Sequence, residues 1–181
     1  VTSVNASHAA LFGSVSSGSQ AALYAARDRV AESCGVPSPA LGTDAIEGAI
    51  KLARLYTGRN TFLSTLGGFH GKSMGSLSLM GKATFREPFR AGLQDVRFAP
   101  YGDANALQAE FDKAEAVGTP IDAFVVEPVQ GEAGAVVPPP DYLPRARELC
   151  DRYGALLIAD EIQTGMGRTG KLWGVDHGDV V

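Results

Sequence analysis

Apolar and polar residues follow one another along most of the chain in runs that fit helices and strands. The clearest helix is predicted from Thr43, because its apolar residues recur every three or four positions until Gly58 supplies a stop. Weaker patterns predict helices at residues 20–32, 103–117 and 142–153. The core-facing side of the clearest helix is expected to be Ile46, Ala49, Ile50 and Ala53.

Short apolar runs predict buried strands at residues 61–66, 96–99, 123–126 and 155–159. Strands that alternate with helices are typical of an α/β fold with a mostly parallel sheet and flanking helices. Ligands of such sheets bind beyond the carboxyl ends of the strands. Residues that follow the predicted strands are therefore candidate site residues, among them Phe69, Glu127 and Asp160.

Composition narrows the possible function classes. Of the 181 residues, 45% are hydrophobic, which is enough for a sizeable core in one domain or a large piece of one. The net charge is −4 and no basic run occurs, so nucleic acids and membranes are not expected as partners. The two cysteines, Cys34 and Cys150, suggest neither a disulfide framework nor a metal site. Together with the lack of a secretory pattern, these features favour a cytoplasmic protein that binds small molecules.

Two acidic residues, Asp160 and Glu161, follow the last predicted strand. Burial of a carboxylate costs free energy unless a donor or a cation meets it, so we expect a partner. Gln163 lies in the same glycine-rich turn, where its amide and the Asp160 carboxylate could contact one ligand. The alternative that Asp160 only caps the next segment stays open.

Other polar positions allow both a functional and an ordinary structural interpretation. Gly42 and Thr43 begin the clearest helix, where free N–H groups and a hydroxyl suit a phosphate or a simple cap. Phe69 could stack on a flat ligand or pack in the core. Glu127 and Glu132 flank a polar loop and could be functional or solvated acids.

One motif points to a different chemistry. Residues 71–75 read Gly-x-Ser-x-Gly, and Ser73, Asp160 and His177 occur in the chain order of the α/β-hydrolase triad. The nucleophilic serine of that fold leaves its strand directly, whereas residues 67–71 intervene here. A serine hydrolase is therefore the distant alternative.

Four segments are specific enough to compare with known families: residues 42–54 (GTDAIEGAIKLAR), 69–72 (FHGK), 127–132 (EPVQGE) and 159–170 (ADEIQTGMGRTG). Read together and in this order, they resemble the class III aminotransferases, which are pyridoxal-phosphate enzymes of fold type I. Residues 82–89 and 138–143 are most similar to the putrescine and ornithine branch of that family.

The resemblance implies a partial large domain of the fold type I α/β architecture and a role for each matched residue. Gly42 and Thr43 would bind the phosphate of pyridoxal 5′-phosphate, and Asp160 would pair with its ring nitrogen. Phe69 would stack on the ring beside His70. The other residues implied at the cofactor are Glu127, Ile162 and Gln163, and the one implied at the substrate is Glu132.

The implied activity is transfer of an amino group from a diamine or an omega-amino acid to a 2-oxo acid, by a homodimer. The family's cofactor-binding lysine lies downstream of the Asp160 position, and none of the chain's lysines has that context. We therefore expect the 181-residue chain to be inactive by itself. The alternative is a non-catalytic remnant that binds at most a cofactor or a partner.

The sequence divides at residue 42. Residues 42–181 match the partial cofactor-binding domain, whereas residues 1–41 do not match the family. Codons for residues 37–41, read in another frame, can encode Phe-Thr-Ser-Ser-Gly, a family-like approach to Gly42. A frame-shifted segment and a divergent native segment are both open interpretations.

Overall fold

A computed structural model describes residues 42–178 and residue 180. The helix predicted at residues 20–32 and the origin of residues 1–41 lie outside the described residues. Within the described part, no helix is long and apolar enough to cross a membrane.

A parallel four-stranded sheet forms the centre of the described residues. Its strands lie in the order β2-β1-β3-β4. Their bounds are β1 Thr61–Thr65, β2 Val96–Ala99, β3 Ile121–Val126 and β4 Leu156–Ala159. Because all four strands run in one direction, the residues that follow them meet at the same edge of the sheet.

Helices cover both faces of this sheet. They are α1 Gly42–Thr57, α2 Met74–Ser78, α3 Ala83–Arg86, α4 Ala104–Ala116 and α5 Tyr142–Tyr153. Two short 3-10 helices lie at Glu87–Gly92 and Gly174–Gly178. The layered α/β arrangement predicted from the sequence is confirmed.

The core has two parts because the strands alternate their side chains between the faces. Phe62, Ala123 and Val125 pack against Ile46 and other residues of α1 on one face. On the opposite face, the neighbouring strand residues Leu63, Phe124 and Val126 pack against two helices. The helix residues in this part of the core are Leu107 and Phe111 of α4 and Ala146 and Leu149 of α5.

Helix ends follow the expected chemistry. Gly58 adopts φ +70° and its N–H donates to the carbonyl of Arg54, so it ends α1 as predicted. Gly154, at φ +62°, ends α5 in the same way. Asp103 caps α4 by accepting hydrogen bonds from the N–H groups of Asn105 and Ala106.

Candidate functional site

Asp160 and His70 form a buried pair at the carboxyl edge of the sheet. Asp160 follows β4 and is 6% exposed, and His70, which follows β1, is 2% exposed. Asp160 Oδ2 lies 2.8 Å from His70 Nδ1. Asp160 Oδ1 accepts a hydrogen bond from the Ile162 N–H at 3.2 Å. The carboxylate therefore has the partner expected from its burial, and it also caps the turn that follows it.

The second ring nitrogen of His70 is unusual. Nε2 is buried and has no hydrogen-bond partner among the described residues. Since a carboxylate only accepts hydrogen bonds, Nδ1 must carry the proton that joins the pair. His70 thus contacts Asp160 through one nitrogen, while the other has no partner among the described residues, which is uncommon for a buried polar atom.

Glu127 holds the loop that carries Phe69. Its carboxylate follows β3 and accepts hydrogen bonds from the N–H groups of Phe69, at 2.9 Å, and Gly131, at 3.2 Å. Burial raises the pKa of Glu127 above its usual range, and the two N–H donors oppose that rise. Glu127 therefore fixes the backbone at Phe69 rather than standing free in solvent.

Thr43 lies in a cluster of hydroxyl groups beside this loop. Its Oγ1 is 2.8 Å from both Ser73 Oγ and Ser76 Oγ. It also lies close to Gly71, where an added Cβ would be 2.4 Å from Thr43 Oγ1. The beginning of α1 is thus packed directly against the residues that follow His70.

Two residues at this edge were missed by the sequence analysis. Glu47 accepts hydrogen bonds from the Ser73 hydroxyl and from the N–H groups of Gly75 and Ser76. Gln130 donates through Nε2 to Thr65 Oγ1 and to the carbonyl of Leu66. The available signal for Glu47 was its spacing, because it lies one helical turn after Thr43. Gln130 gave no comparable signal, since its partners are distant in the chain.

The remaining predicted residues are Glu132, Ile162 and Gln163. Glu132 forms an ion pair with Lys82, with Oε2 2.6 Å from Nζ. Ile162 contacts Gly42, where an added Cβ would be 2.7 Å from Ile162 Cδ1. Gln163 lies against Gly131, and both line an open pocket of about 810 Å³.

The three residues of the hydrolase alternative do not meet. His177 Nε2 lies beside the carbonyl and the hydroxyl of Thr169, and Ser73 Oγ donates to Glu47. The Asp160 carboxylate is taken by His70. Because no hydrogen bond joins Ser73, His177 and Asp160 to one another, they lack the geometry of a catalytic triad.

Comparison with known families identifies the chain. The family model "Aminotransferase class-III" matches residues 25–181. The chain belongs to the class III aminotransferases. The matched range begins before Gly42 and includes every predicted site residue.

Solved transaminase structures have a fold similar to that of the chain. A transaminase from the marine bacterium Virgibacillus is 35% identical with a TM-score of 0.71, over 79% of this chain and 35% of that one. An ornithine aminotransferase from Toxoplasma gondii is 32% identical with a TM-score of 0.71, over 84% of this chain and 38% of that one. An amine transaminase from an uncultivated Pseudomonas species, in its PLP-bound form, is 31% identical with a TM-score of 0.68, over 99% of this chain and 48% of that one.

Class III aminotransferases use pyridoxal 5′-phosphate, and the described residues fit that group. The buried carboxylate of Asp160 and the unsatisfied Nε2 of His70 lie at the edge of the sheet that also holds the half-buried Phe69. The beginning of α1 offers backbone donors at Gly42 and Thr43. The chain spans less than half the length of the transaminase structures described above.

Proposed function

We propose that residues 42–181 supply the cofactor-binding part of a transaminase, with the ring site at Asp160. The buried pair of Asp160 and His70 carries this proposal. Burial of a carboxylate at the end of a parallel strand costs free energy, and a protein of this family can use such a carboxylate to bind a cationic ring nitrogen. Its pairing with His70 keeps the carboxylate oriented before any ligand arrives.

Asp160 would hold a proton at the ring nitrogen of pyridoxal phosphate. The bound cofactor supplies an acceptor for the electrons that remain when a substrate carbon loses its proton. A charged carboxylate favours the protonated ring nitrogen, whereas a neutral side chain would not. His70 would orient Asp160 for this contact, since its Nδ1 lies 2.8 Å from the carboxylate.

Other residues would bind the rest of the cofactor. Gly42 and Thr43 would donate to the phosphate at the positive end of α1. Phe69 would lie against the ring, held by the hydrogen bond from its N–H to Glu127. Ile162 and Gln163 would complete the site from the turn after Asp160.

We further propose that the substrate is a diamine or an omega-amino acid and that a 2-oxo acid accepts the amino group. Glu132 would attract the distal amine, because it is an acid at the rim of the site. Its ion pair with Lys82 is partly exposed, so it costs little to open. The complete enzyme would act as a homodimer, and ornithine aminotransferase activity in a related protein makes diamine-like substrates suitable first tests.

Calorimetric titration with pyridoxamine 5′-phosphate tests the cofactor site. This form is chosen because its amine cannot form imines with surface lysines. We expect binding to the native chain and about tenfold or more weaker binding to Asp160→Asn, because a charge-assisted hydrogen bond is lost. Asp141→Asn, on the exposed residue before α5, is the matched control and should bind like the native chain. Equal affinity of Asp160→Asn and the native chain would refute the role of Asp160.

A non-catalytic binding protein is the second candidate function. It is favoured by the contacts of the lysines, four of which have partners away from Asp160: Lys72 with Phe85, Lys82 with Glu132, Lys113 with Glu110, and Lys171 with the carbonyl of Asp176. Lys51 is exposed on α1. A chain of this kind would bind the cofactor without turning over an amine.

A further inference from the structure

Glu47 makes a concentrated set of hydrogen bonds that the proposed function does not use. Its Oε1 accepts from Ser73 Oγ at 2.5 Å, from the Gly75 N–H at 2.8 Å and from the Ser76 N–H at 3.0 Å. These donors belong to the segment 73–76, about thirty positions along the chain from Glu47. One carboxylate oxygen on α1 therefore caps the beginning of α2, which is remote in the chain and follows the loop of Phe69 and His70.

Thr43, one helical turn before Glu47 on α1, contacts the same segment. Its Oγ1 contacts the hydroxyls of Ser73 and Ser76 at 2.8 Å. Since side chains four apart lie on one face of a helix, Thr43 and Glu47 form a two-point clamp on residues 71–76. That segment directly follows Phe69 and His70, so the clamp joins the beginning of α1 to the loop that carries both rings.

Glu47 meets the free N–H groups at the beginning of α2, where an acid is favoured, but its charge has the opposite effect at the beginning of α1. The beginning of α1 is the proposed phosphate site, and a carboxylate one turn away repels an anion. Glu47 also occupies the N–H groups of Gly75 and Ser76, so these groups are not available to a phosphate. For a phosphate bound at α1, Glu47 would therefore contribute through the position it gives to residues 71–76 and not through its charge.

We propose that Glu47 is a positioning residue that sets the spacing between the phosphate-binding end of α1 and the ring-binding loop at Phe69 and His70. The proposal rests on the proposed cofactor site. A ligand that spans both parts needs this spacing, whereas a ligand that occupies only the end of α1 does not. Loss of the clamp should therefore affect the two kinds of ligand differently.

Titrations of Glu47→Ala with two probes test this difference. We expect about tenfold or more weaker binding of pyridoxamine 5′-phosphate, which spans both parts, because preorganisation of the loop is lost. Inorganic phosphate should bind as before or more tightly, because a repulsive charge has been removed. Glu115→Ala, an exposed glutamate of α4, is the matched control and should leave both affinities unchanged.

Two further variants separate positioning from folding. Glu47→Gln keeps an acceptor oxygen and should bind pyridoxamine 5′-phosphate within about threefold of the native chain, since the amide carbonyl can accept from the N–H groups. Gly75→Ala places a Cβ 2.2 Å from Glu47 Oε2 and should displace the carboxylate. It should weaken pyridoxamine 5′-phosphate binding even though alanine favours a helix over glycine by about 1 kcal/mol.

The outcomes distinguish this inference from the proposed function. If the native chain binds pyridoxamine 5′-phosphate and both Glu47→Ala and Gly75→Ala bind it equally well, the role of Glu47 is refuted and the cofactor site stands. If both variants lose pyridoxamine 5′-phosphate and inorganic phosphate to the same extent together with cooperative melting, Glu47 has only a structural role. If the native chain does not bind pyridoxamine 5′-phosphate, the proposed cofactor site fails and this inference fails with it.

Discussion

Gly71, which follows His70, lies very close to Thr43 at the beginning of α1. Its φ is +113°, a backbone conformation that favours glycine. An added Cβ would lie 2.4 Å from Thr43 Oγ1 and 2.6 Å from Thr43 Cβ. Gly134 offers a natural comparison, because its φ is +115° and no atom lies within 4 Å of a Cβ added there.

Alanine substitutions at these two glycines should therefore have different costs. Gly134→Ala should lose about 1–3 kcal/mol of unfolding free energy, from backbone strain alone. Gly71→Ala should lose clearly more, because overlap with Thr43 is added to the same strain. Urea denaturation of both variants measures the difference. Equal losses would show that the contact between Gly71 and Thr43 does not constrain the fold.

The sequence predicted which residues belong to the candidate site, but not which of them contact one another. The burial of Asp160 followed from its place after an apolar run, and the need for a partner followed from the cost of burying charge. That the partner is His70 could not be deduced, because ninety positions separate them in the chain. The role of Glu47 was missed for the same reason, because its partners lie at the beginning of α2, about thirty positions further along the chain.

At the scale of elements, α1 and β3 are connected by a buried acid. Asp122 of β3 is fully buried, and its Oδ1 accepts a hydrogen bond from Thr57 Oγ1, at the end of α1, at 2.7 Å. Its Oδ2 has no partner among the described residues. Burial raises the pKa of Asp122 above its usual range, opposed by Thr57 and by Arg54 and Arg59.

The raised pKa predicts a pH dependence with a definite sign. The folded chain holds the proton of Asp122 more tightly than the unfolded chain, so this group stabilises the fold most below its unfolded pKa of about 3.9. That contribution is lost as pH rises through the raised folded pKa. Between these two pKa values, the unfolding free energy of the native chain should therefore fall more steeply with rising pH than that of Asp122→Asn. Asp141→Asn, at an exposed position, should follow the native slope, and an unchanged slope in Asp122→Asn would contradict the prediction.

Most elements were predictable because their patterns are local. The sequence predicted β1, β2 and β4 to within one residue at each end, and the predicted face of α1 is buried at Ile46, Ile50 and Ala53. The prediction for β3 began two residues late, because Asp122 interrupts its apolar run. The short helices α2 and α3 gave no usable period, since one turn is too short to show one.

For the whole molecule, we propose that the described fold supplies one part of a transaminase site. The chain covers 35% to 48% of the transaminase chains that it resembles. The sheet and its flanking helices position Thr43, Phe69 and Asp160 along one edge. Sequence motifs indicated the family, which the family model confirms, and they predicted Thr43, Phe69 and Asp160 as site residues.

The isolated 181-residue chain should not catalyse transamination, even when supplied with pyridoxal phosphate. Proton transfer at the substrate carbon needs a positioned lysine, and four of the five lysines are held by other contacts. A coupled assay with putrescine and with ornithine measures the rate against free cofactor. Turnover above that background would show that a lysine of this chain supplies the base.

The protonation state of the cofactor's ring nitrogen at Asp160 is the property that tests the proposed site most directly. The measurement is the nitrogen-15 NMR shift of pyridoxamine 5′-phosphate, labelled in its ring and bound to the native chain, at a pH where the free compound has lost that proton. We predict the shift of a protonated pyridine in the native chain and that of an unprotonated pyridine in Asp160→Asn, because only a carboxylate favours the cation. An unprotonated ring bound to the native chain would contradict the assignment of Asp160 as the cofactor's partner.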